Sequence, residues 1–206
     1  MISKITYLGK RSVSSYDPRS VANLLLDQAE TFGVQVTNLA LQKLLYFAHG
    51  AFLIREKKPL VSGYFEAWTY GPVHPAVYKS FKSAGSSPIE FRAEGKNIVT
   101  GGRYALTLPD DNAVNSVISA ITKSYGQLSP GMLVDISHAP NSPWDIVKNK
   151  SRTDVAFGLR IPDTLISANF RHHKVRVGTE PNVGEPLEDK PIAGYRPSTN
   201  CPTYFR

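Results

Sequence analysis

The sequence predicts an α+β fold that is predominantly helical, with a compact core of about five to six helices and a small antiparallel β element. Apolar residues recur at helical spacing in several segments that begin at capping residues, and two short β-like runs flank a pair of glycines. A chain of 206 residues with 41% hydrophobic content buries roughly 70% of its unfolded surface on folding, so this core needs no disulfide or metal.

Capping signals delimit the first two helices. Asp17 precedes Pro18, which is an N-cap followed by proline at the first helical position, and Gly33 marks the end of this helix. Thr37 caps the second helix, which runs to the charged residues 55–58. The first helix is expected to pack on the second.

The second helix is apolar on most of its circumference. Leu41 and Leu44 fall on one stripe, and Tyr46 falls opposite, beside Lys43. Such a helix has to be covered on two sides, either by its own domain, which is the commoner arrangement, or partly by another protein. The Lys43 ammonium must reach water, lie over an aromatic ring or meet an acidic partner, because an unpaired buried charge is costly.

An aromatic segment and a short helix follow. Residues 64–70 lack helical spacing, which predicts an extended segment, and Gly71 and Pro72 are expected to end it. We expect Gly71 to supply a backbone conformation that other residues avoid and Pro72 to fix the turn. The short helix opens at Pro75 and closes at Gly85.

A β-hairpin is predicted next. Residues 97–100 and 103–108 are β-like runs, and Gly101 and Gly102 between them suit a primed two-residue turn. The sequence therefore predicts a small antiparallel element here.

The last helices of the core are shorter. Asp110 or Asp111 caps a helix that ends at Gly126, and Ser129 with Pro130 starts another. A tight corner that includes His138 and Trp144 then precedes a final helical turn.

The chain divides into three parts by composition. These are an N-terminal segment of residues 1–16, a core domain of residues 17–150 and a C-terminal extension or arm of residues 151–206. The arm is dense in Pro and Gly from residue 171 onward, although residues 163–170 have the pattern of one more short helix.

Charge and cysteine content restrict the functional class. The formal net charge is +7 and the pI is near 9.5, which suits nucleic acid or an acidic protein partner. The single cysteine, Cys201, excludes an intramolecular disulfide, and there is neither a signal peptide nor a long apolar run. We therefore expect a cytoplasmic protein without a membrane partner.

The residues do not predict an enzyme. Cys201 lies in a Pro-rich tail, far in sequence from any histidine of the core that would act as its base. His172 and His173 are adjacent, which is poor spacing for one metal ion. No P-loop, dinucleotide loop, zinc-protease helix or nucleophile elbow is present, so we expect no catalytic residue, metal or cofactor.

Several motifs together resemble the Panacea domain, the SocA-like antitoxin family, over roughly residues 17–150. The motifs are Leu39-Ala-Leu-Gln-Lys-Leu-Leu-Tyr-Phe-Ala-His-Gly50, Pro59-Leu60, Glu66-Ala-Trp-Thr-Tyr-Gly-Pro-Val73, Pro75, Val77-Tyr78, Leu128-Ser129, Leu133, Ser137-His138 and Pro143-Trp144. The resemblance implies a non-catalytic bacterial or phage antitoxin that binds and neutralises a toxin protein usually encoded beside it. It also implies, for one branch of the family, an adaptor that delivers the toxin to a cytoplasmic ATP-dependent protease.

Two groups of residues follow from the family motifs and the surface chemistry. For aromatic residues in either group, packing in the core is the more common role. The residues expected to contact the toxin are Lys43, Tyr46, Tyr70, His74, Arg171 and Arg176. The residues expected to form the scaffold are Leu41, Leu44, Trp68, Gly71, Pro72, Tyr78, His138 and Trp144.

Nucleic-acid binding, including autorepression, is the alternative function. The basic residues of the arm and of the N-terminal segment are able to contact phosphates with a salt-dependent affinity. No convincing recognition helix or zinc finger supports it. The basic residues concerned are Arg160, Arg171, Lys174, Arg176, Lys4, Lys10 and Arg11.

Overall fold

A computed structural model describes residues 15–150 and 159–173, and in this part of the chain the fold is α+β and predominantly helical, as predicted. Six helices lie within the predicted core, in agreement with the expected five to six; the last predicted helical turn is a full helix, and a seventh helix follows it. The helices are α1 (Pro18–Thr31), α2 (Asn38–Glu56), α3 (Pro75–Phe81), α4 (Asn112–Tyr125), α5 (Pro130–Ser137), α6 (Pro143–Lys150) and α7 (Asp163–Asn169). The strands are β1 (Phe65–Trp68), β2 (Gly71–Val73), β3 (Glu94–Lys96), β4 (Arg103–Ala105) and β5 (Arg160–Ile161).

The predicted helix caps are present. The Asp17 carboxylate accepts a hydrogen bond from the Arg19 backbone N–H at 2.9 Å, and the Thr37 hydroxyl accepts one from Ala40 at 3.3 Å. Asp111 rather than its neighbour caps α4. These side chains satisfy backbone donors that a helix N-terminus otherwise leaves free.

Helix α2 lies at the centre of the molecule and is covered by its own domain. It contacts α1 and α4 as well as α5, β2 and α7. Nearly every residue from Asn38 to Leu53 is buried. The apolar circumference of α2 is therefore covered by its own domain, which is the commoner of the two arrangements considered above.

A three-stranded antiparallel sheet, in the order β2-β1-β5, places the aromatic segment against α2. The prediction that Gly71 and Pro72 end the extended segment is wrong. Thr69 and Tyr70 make the turn, and Gly71–Val73 returns as β2, with Pro72 opposite Ala67. Proline is accommodated because β2 is an edge strand of this sheet.

The second β element is the β3–β4 hairpin, and its predicted strands are misplaced. The first strand is Glu94–Lys96 rather than residues 97–100, and the second ends at Ala105. Residues 97–102 form the connection. The Asn97 side chain accepts hydrogen bonds from the backbone amides two and three residues ahead, Val99 at 2.8 Å and Thr100 at 3.1 Å, and this turn overrides the strand propensity of the intervening β-branched residues.

Residues 159–173 pack on the core. Strand β5 pairs with β1, and Ile161 and Ile166 are both buried in the main apolar cluster. His49 on α2 donates a hydrogen bond through Nε2 to Asp163 at 3.1 Å, while its Nδ1 accepts from the Val61 amide. The predicted short helix at residues 163–170 is therefore confirmed as α7, and the division of the chain at residue 150 stays a prediction.

Candidate functional site

Lys43 is fully buried on α2, where strand β2 crosses the helix. Its Nζ donates a hydrogen bond to the backbone carbonyl of Pro72 at 3.2 Å. Sequence reasoning offered water, an aromatic ring or an acidic group as partners, and the structure adds a strand carbonyl. The ammonium thus fixes β2 to α2, and hydrogen bonds to a charged group of this kind contribute about 1.5–3 kcal/mol.

Gly71 makes the close approach of β2 to Lys43 possible. Its φ is +99°, in a region that side-chain-bearing residues rarely adopt. A Cβ atom at this position would overlap Ser137 Oγ and would lie 2.9 Å from Lys43 Cε. Glycine is thus needed for both the backbone conformation and the space. We call Lys43, Gly71, Pro72 and Ser137 the Lys43 centre.

The two tryptophans connect this region to α6. Trp144 donates its indole N–H to the Trp68 carbonyl at 2.7 Å, and Trp68 donates its own to Glu66 Oε2 at 2.7 Å. Tyr78 packs edge-on against Trp68, with ring centroids 4.8 Å apart. Both indoles are therefore satisfied while their rings fill apolar space.

His138 stacks on Trp144 with ring centroids 3.6 Å apart and an interplanar angle of 12°. The residue as a whole is half-buried, but its Nε2 is buried without a hydrogen-bond partner in the described part of the chain. Burial, together with the smaller effect of the positive charges of Lys43 and Lys148, lowers the pKa of His138 to about 3. The imidazole is therefore neutral at physiological pH.

Tyr46 occupies the interior on the opposite side of α2. Its ring lies 5.4 Å from Phe65, 6.2 Å from Phe170 and 5.4 Å from His173 between centroids. Its hydroxyl makes no hydrogen bond with any described residue, and burial raises the pKa of Tyr46 well above its usual value. This side chain packs between the core and the segment of residues 159–173.

His74 is also buried. Its backbone N–H donates to Gln42 Oε1 at 3.0 Å, and its ring Nε2 donates to the Ser62 carbonyl at 2.9 Å. Burial lowers the pKa of His74, so the neutral form is favoured. The contacts join α2, the loop before β1 and the start of α3.

The other predicted contact residues lie nearer the surface. Tyr70 is half-buried in the β1–β2 turn, and Arg171 is exposed after α7. Arg176 lies outside the described residues. The structure thus brings Lys43, Tyr46 and His74 to the interior around α2 and leaves Tyr70 and Arg171 accessible, so the partner-contact role of all six residues stays a prediction.

The scaffold residues predicted from the motifs lie together around α2, β1 and β2. Leu41 and Leu44 are fully buried in the main apolar cluster, and Pro72 is buried in β2. Among the residues described, no group of three or more His, Cys, Asp or Glu side chains is placed to hold a metal ion. No helix in the same part of the chain is long and apolar enough to cross a membrane.

Sequence reasoning missed the exposed surface of the β3–β4 hairpin. It treated residues 97–100 as a strand, so the side chains of Ile98 and Val99 were not recognised as a projecting tip. The available signal was Asn97, because an asparagine side chain readily bonds backbone amides two and three residues ahead.

Two comparisons identify relatives of this chain. Residues 41–145 match the family described as "Antitoxin SocA-like, Panacea domain". The chain is also 45% identical, over 177 residues, to the protein named Antitoxin SocA of Caulobacter vibrioides (strain NA1000 / CB15N), a match that covers 86% of this chain and 94% of that relative. No solved structure matches the chain. The matched family residues span α2 to α6, and on this similarity the chain belongs to the SocA-like antitoxin family with a Panacea domain.

Proposed function

We propose that this protein is an antitoxin that neutralises a toxin protein by binding it directly, without catalysing a reaction. The observation that carries the proposal is the 45% identity to Antitoxin SocA over nearly the whole of both chains. The resemblance of the sequence to the same family adds that the toxin is encoded beside the antitoxin.

Hydrogen bonds between distant parts of the chain support neutralisation through a preformed surface. Lys43 to Pro72, Trp144 to Trp68 and His74 to Gln42 are long-range hydrogen bonds that fix the strands to the helices. A specific complex of this kind buries about 1,600 Å² in total. A surface that is already ordered loses less conformational entropy on binding, so more of the interaction free energy contributes to affinity. The buried residues position the surface, and Tyr70 and Arg171 are accessible to contact the toxin.

Adaptor activity is a second step of the same proposal, and it rests on the resemblance to the SocA-like branch. An adaptor holds its cargo and a cytoplasmic ATP-dependent protease at once, so it shortens the lifetime of the toxin. Delivery to the protease is measured by stopping translation and following the lifetime of the toxin with and without this chain. An antitoxin that is not an adaptor leaves the toxin lifetime unchanged or lengthens it.

Nucleic-acid binding is the alternative that the net charge of +7 favours. Arg160 and Arg171 are exposed cations in the described part of the arm, and the Arg160 guanidinium lies 3.8 Å from the centroid of the Tyr64 ring. Filter binding of DNA and RNA across a salt series separates the two functions. Tight retention that falls steeply with salt supports nucleic-acid binding, because the released counterions set the slope.

Co-expression with the neighbouring reading frame tests the proposed function. The neighbouring product is expected to stop growth alone, to be harmless with this chain, and to co-purify with it at a fixed ratio. A neighbouring product that is harmless alone, or one that stays lethal in the presence of the folded chain, contradicts the proposal.

A further inference from the structure

The tip of the β3–β4 hairpin exposes two large aliphatic side chains to an unusual degree. Ile98 is 99% exposed and Val99 is 94% exposed. Adjacent aliphatic residues at a projecting tip lose the stabilisation that burial gives, and apolar patches of this kind mark interaction sites. The other large apolar side chains exposed in the described part of the chain range from 37% to 54%: Ile54, Tyr64, Phe91, Tyr104 and Leu108.

Hydrogen bonds hold this tip in one conformation. The Asn97 side chain accepts from the amides of Val99 and Thr100, as described above. The Asn97 amide donates to the Gly102 carbonyl at 2.8 Å, and the Gly101 amide donates to the Asn97 carbonyl at 2.9 Å. The two aliphatic side chains are thus presented by an ordered turn, which reduces the entropy lost on binding.

The base of the hairpin is anchored on α1. Asn23 is buried and exchanges two hydrogen bonds with the backbone of Ala93, at 2.9 Å and 2.8 Å. Arg92 extends to Asp27 at 2.6 Å and to Glu30 at 2.8 Å. These contacts fix the direction in which the hairpin projects from the domain.

One face of the hairpin carries an aromatic side chain. Tyr104 pairs with Gly95 across the strands, and a Cβ atom at Gly95 would lie within 2.7 Å of three atoms of the Tyr104 ring and hydroxyl. The ring therefore covers the glycine, although Tyr104 remains 54% exposed. Rigid tyrosines with one accessible face are frequent anchors in protein interfaces.

The other face has two like charges opposite each other. Lys96 pairs directly with Arg103 across the ladder, and both side chains are exposed. Like charges in this arrangement are destabilising. Arg103 also meets Glu94 at 3.4 Å, but this pair is exposed to solvent and contributes little. An anionic group of a partner placed between the two cations would relieve their repulsion.

We propose that the β3–β4 hairpin is the anchor that binds the toxin, inserting Ile98 and Val99 into an apolar pocket whose rim is acidic. This inference rests on the proposed function and assigns its contact surface. Tyr104 lies against the wall of that pocket, and Lys96 and Arg103 meet its carboxylates. The hairpin supplies the central contacts of a larger interface rather than the whole of it.

Substitution of the tip tests the inference with the purified neighbouring product, prepared by cell-free synthesis because it is toxic to cells. The double variant Ile98→Ser/Val99→Ser is expected to raise the Kd at least about 30-fold and to lose neutralisation in cells. Its thermal unfolding should match that of the wild type, because both side chains are already in water. Ile54→Ser, which changes an exposed aliphatic residue of α2, is the matched control and should keep the Kd within about threefold of the wild type.

Charge reversal tests the acidic rim separately. Lys96→Glu/Arg103→Glu is expected to raise the Kd about tenfold or more and to reduce its dependence on salt. Lys79→Glu/Lys82→Glu makes the same change in net charge at two exposed lysines after β2, and it should leave affinity close to that of the wild type. An equal effect of both double variants would mean that net charge, not the hairpin, attracts the partner, and would overturn the acidic rim.

The outcomes distinguish this inference from the proposed function. If the wild type neutralises its neighbour and Ile98→Ser/Val99→Ser does so equally well, the hairpin assignment is overturned and the antitoxin function stands. If the folded wild type does not bind the neighbouring product, both fail. An equal loss in Ile54→Ser would also overturn the assignment to the hairpin.

Two further occupants of the tip are tested with the same variants. Sedimentation velocity of the wild type and Ile98→Ser/Val99→Ser reveals whether the tip joins two copies of this chain. Sedimentation with vesicles of phosphatidylcholine and phosphatidylglycerol reveals whether it binds lipid. Self-association or vesicle binding that disappears in the double variant, with neutralisation retained, would replace the toxin as the occupant.

Discussion

The Lys43 centre and the β3–β4 hairpin use their side chains in opposite ways. The Lys43 centre buries a charged group and satisfies it with a strand carbonyl, whereas the hairpin exposes aliphatic side chains and places two cations opposite each other. The first region satisfies its unfavourable group within the domain, whereas we propose that the unfavourable groups of the second meet a partner. The residues of the Lys43 centre lie within the family motifs, whereas the contact residues proposed on the hairpin lie outside them.

Gly71→Ala gives the largest expected change and tests the scaffold side of this comparison. The new Cβ meets Ser137 and Lys43 at a positive φ, so we expect a loss of about 2–5 kcal/mol in the free energy of unfolding from overpacking and backbone strain. Urea unfolding followed by circular dichroism measures it. Gly85→Ala is the control, because Gly85 also has a positive φ of 58° but a Cβ there would have no atom within 4 Å, so backbone strain of about 1–3 kcal/mol applies without overpacking. Equal losses in the two variants would contradict the proposed close packing at Gly71.

Lowering the pH should destabilise the buried region around His138 more than it affects the β3–β4 hairpin. The pKa of His138 is about 3 in the folded chain and near 6.5 when unfolded, so between these values the unfolded state binds the additional proton. Stability is therefore complete above the unfolded pKa and falls as pH decreases, by about 2 kcal/mol from pH 7 to pH 5 from this group.

His138→Phe isolates that contribution. Phenylalanine retains an aromatic ring against Trp144 and does not titrate, so the fall in stability between pH 7 and pH 5 should be about 2 kcal/mol smaller than in the wild type. The residual dependence includes His74, whose pKa is also lowered by burial. Unfolding curves measured at each pH decide the matter, and an unchanged pH dependence in the variant would show that His138 is accessible to protons in the folded state.

Asn97→Ala has the smallest expected effect and tests whether the hairpin is preorganised. The substitution removes two hydrogen bonds to the tip but leaves Ile98 and Val99 in place, so we expect the Kd for the neighbouring product to rise about fivefold, with global stability almost unchanged. Asn149→Ala, which removes an exposed hydrogen bond to Asp145 on α6, is the control. Calorimetric titration measures both, and a loss as large as that of Ile98→Ser/Val99→Ser would mean that the turn conformation, not the aliphatic contact, dominates binding.

Local signals allowed most helices to be predicted. Asp17, Thr37, Asp111 and Ser129 each cap a helix through hydrogen bonds to amides two or three residues ahead, so a short stretch of sequence contains all the necessary information. The all-round apolar pattern of α2 likewise predicted cover on two sides and favoured cover by its own domain over cover by another protein.

Tertiary contacts could not be predicted in the same way. The partner of Lys43 is a carbonyl of β2, and the space at Gly71 is limited by Ser137 on α5, so neither depends on nearby sequence. At Ile98 and Val99 two local preferences compete, and the hydrogen-bonding side chain of Asn97 overrides β propensity. A contact surface depends on what the folded chain leaves exposed, and this was the part of the candidate site that sequence alone did not identify.

Hydrogen–deuterium exchange of the chain, alone and saturated with the purified neighbouring product, tests the central claim most directly. The account predicts a stable complex in which exchange slows across residues 94–105 and remains unchanged along α2, which is already buried. A saturated complex with unchanged exchange across the hairpin, or with protection confined to other surfaces, would contradict it.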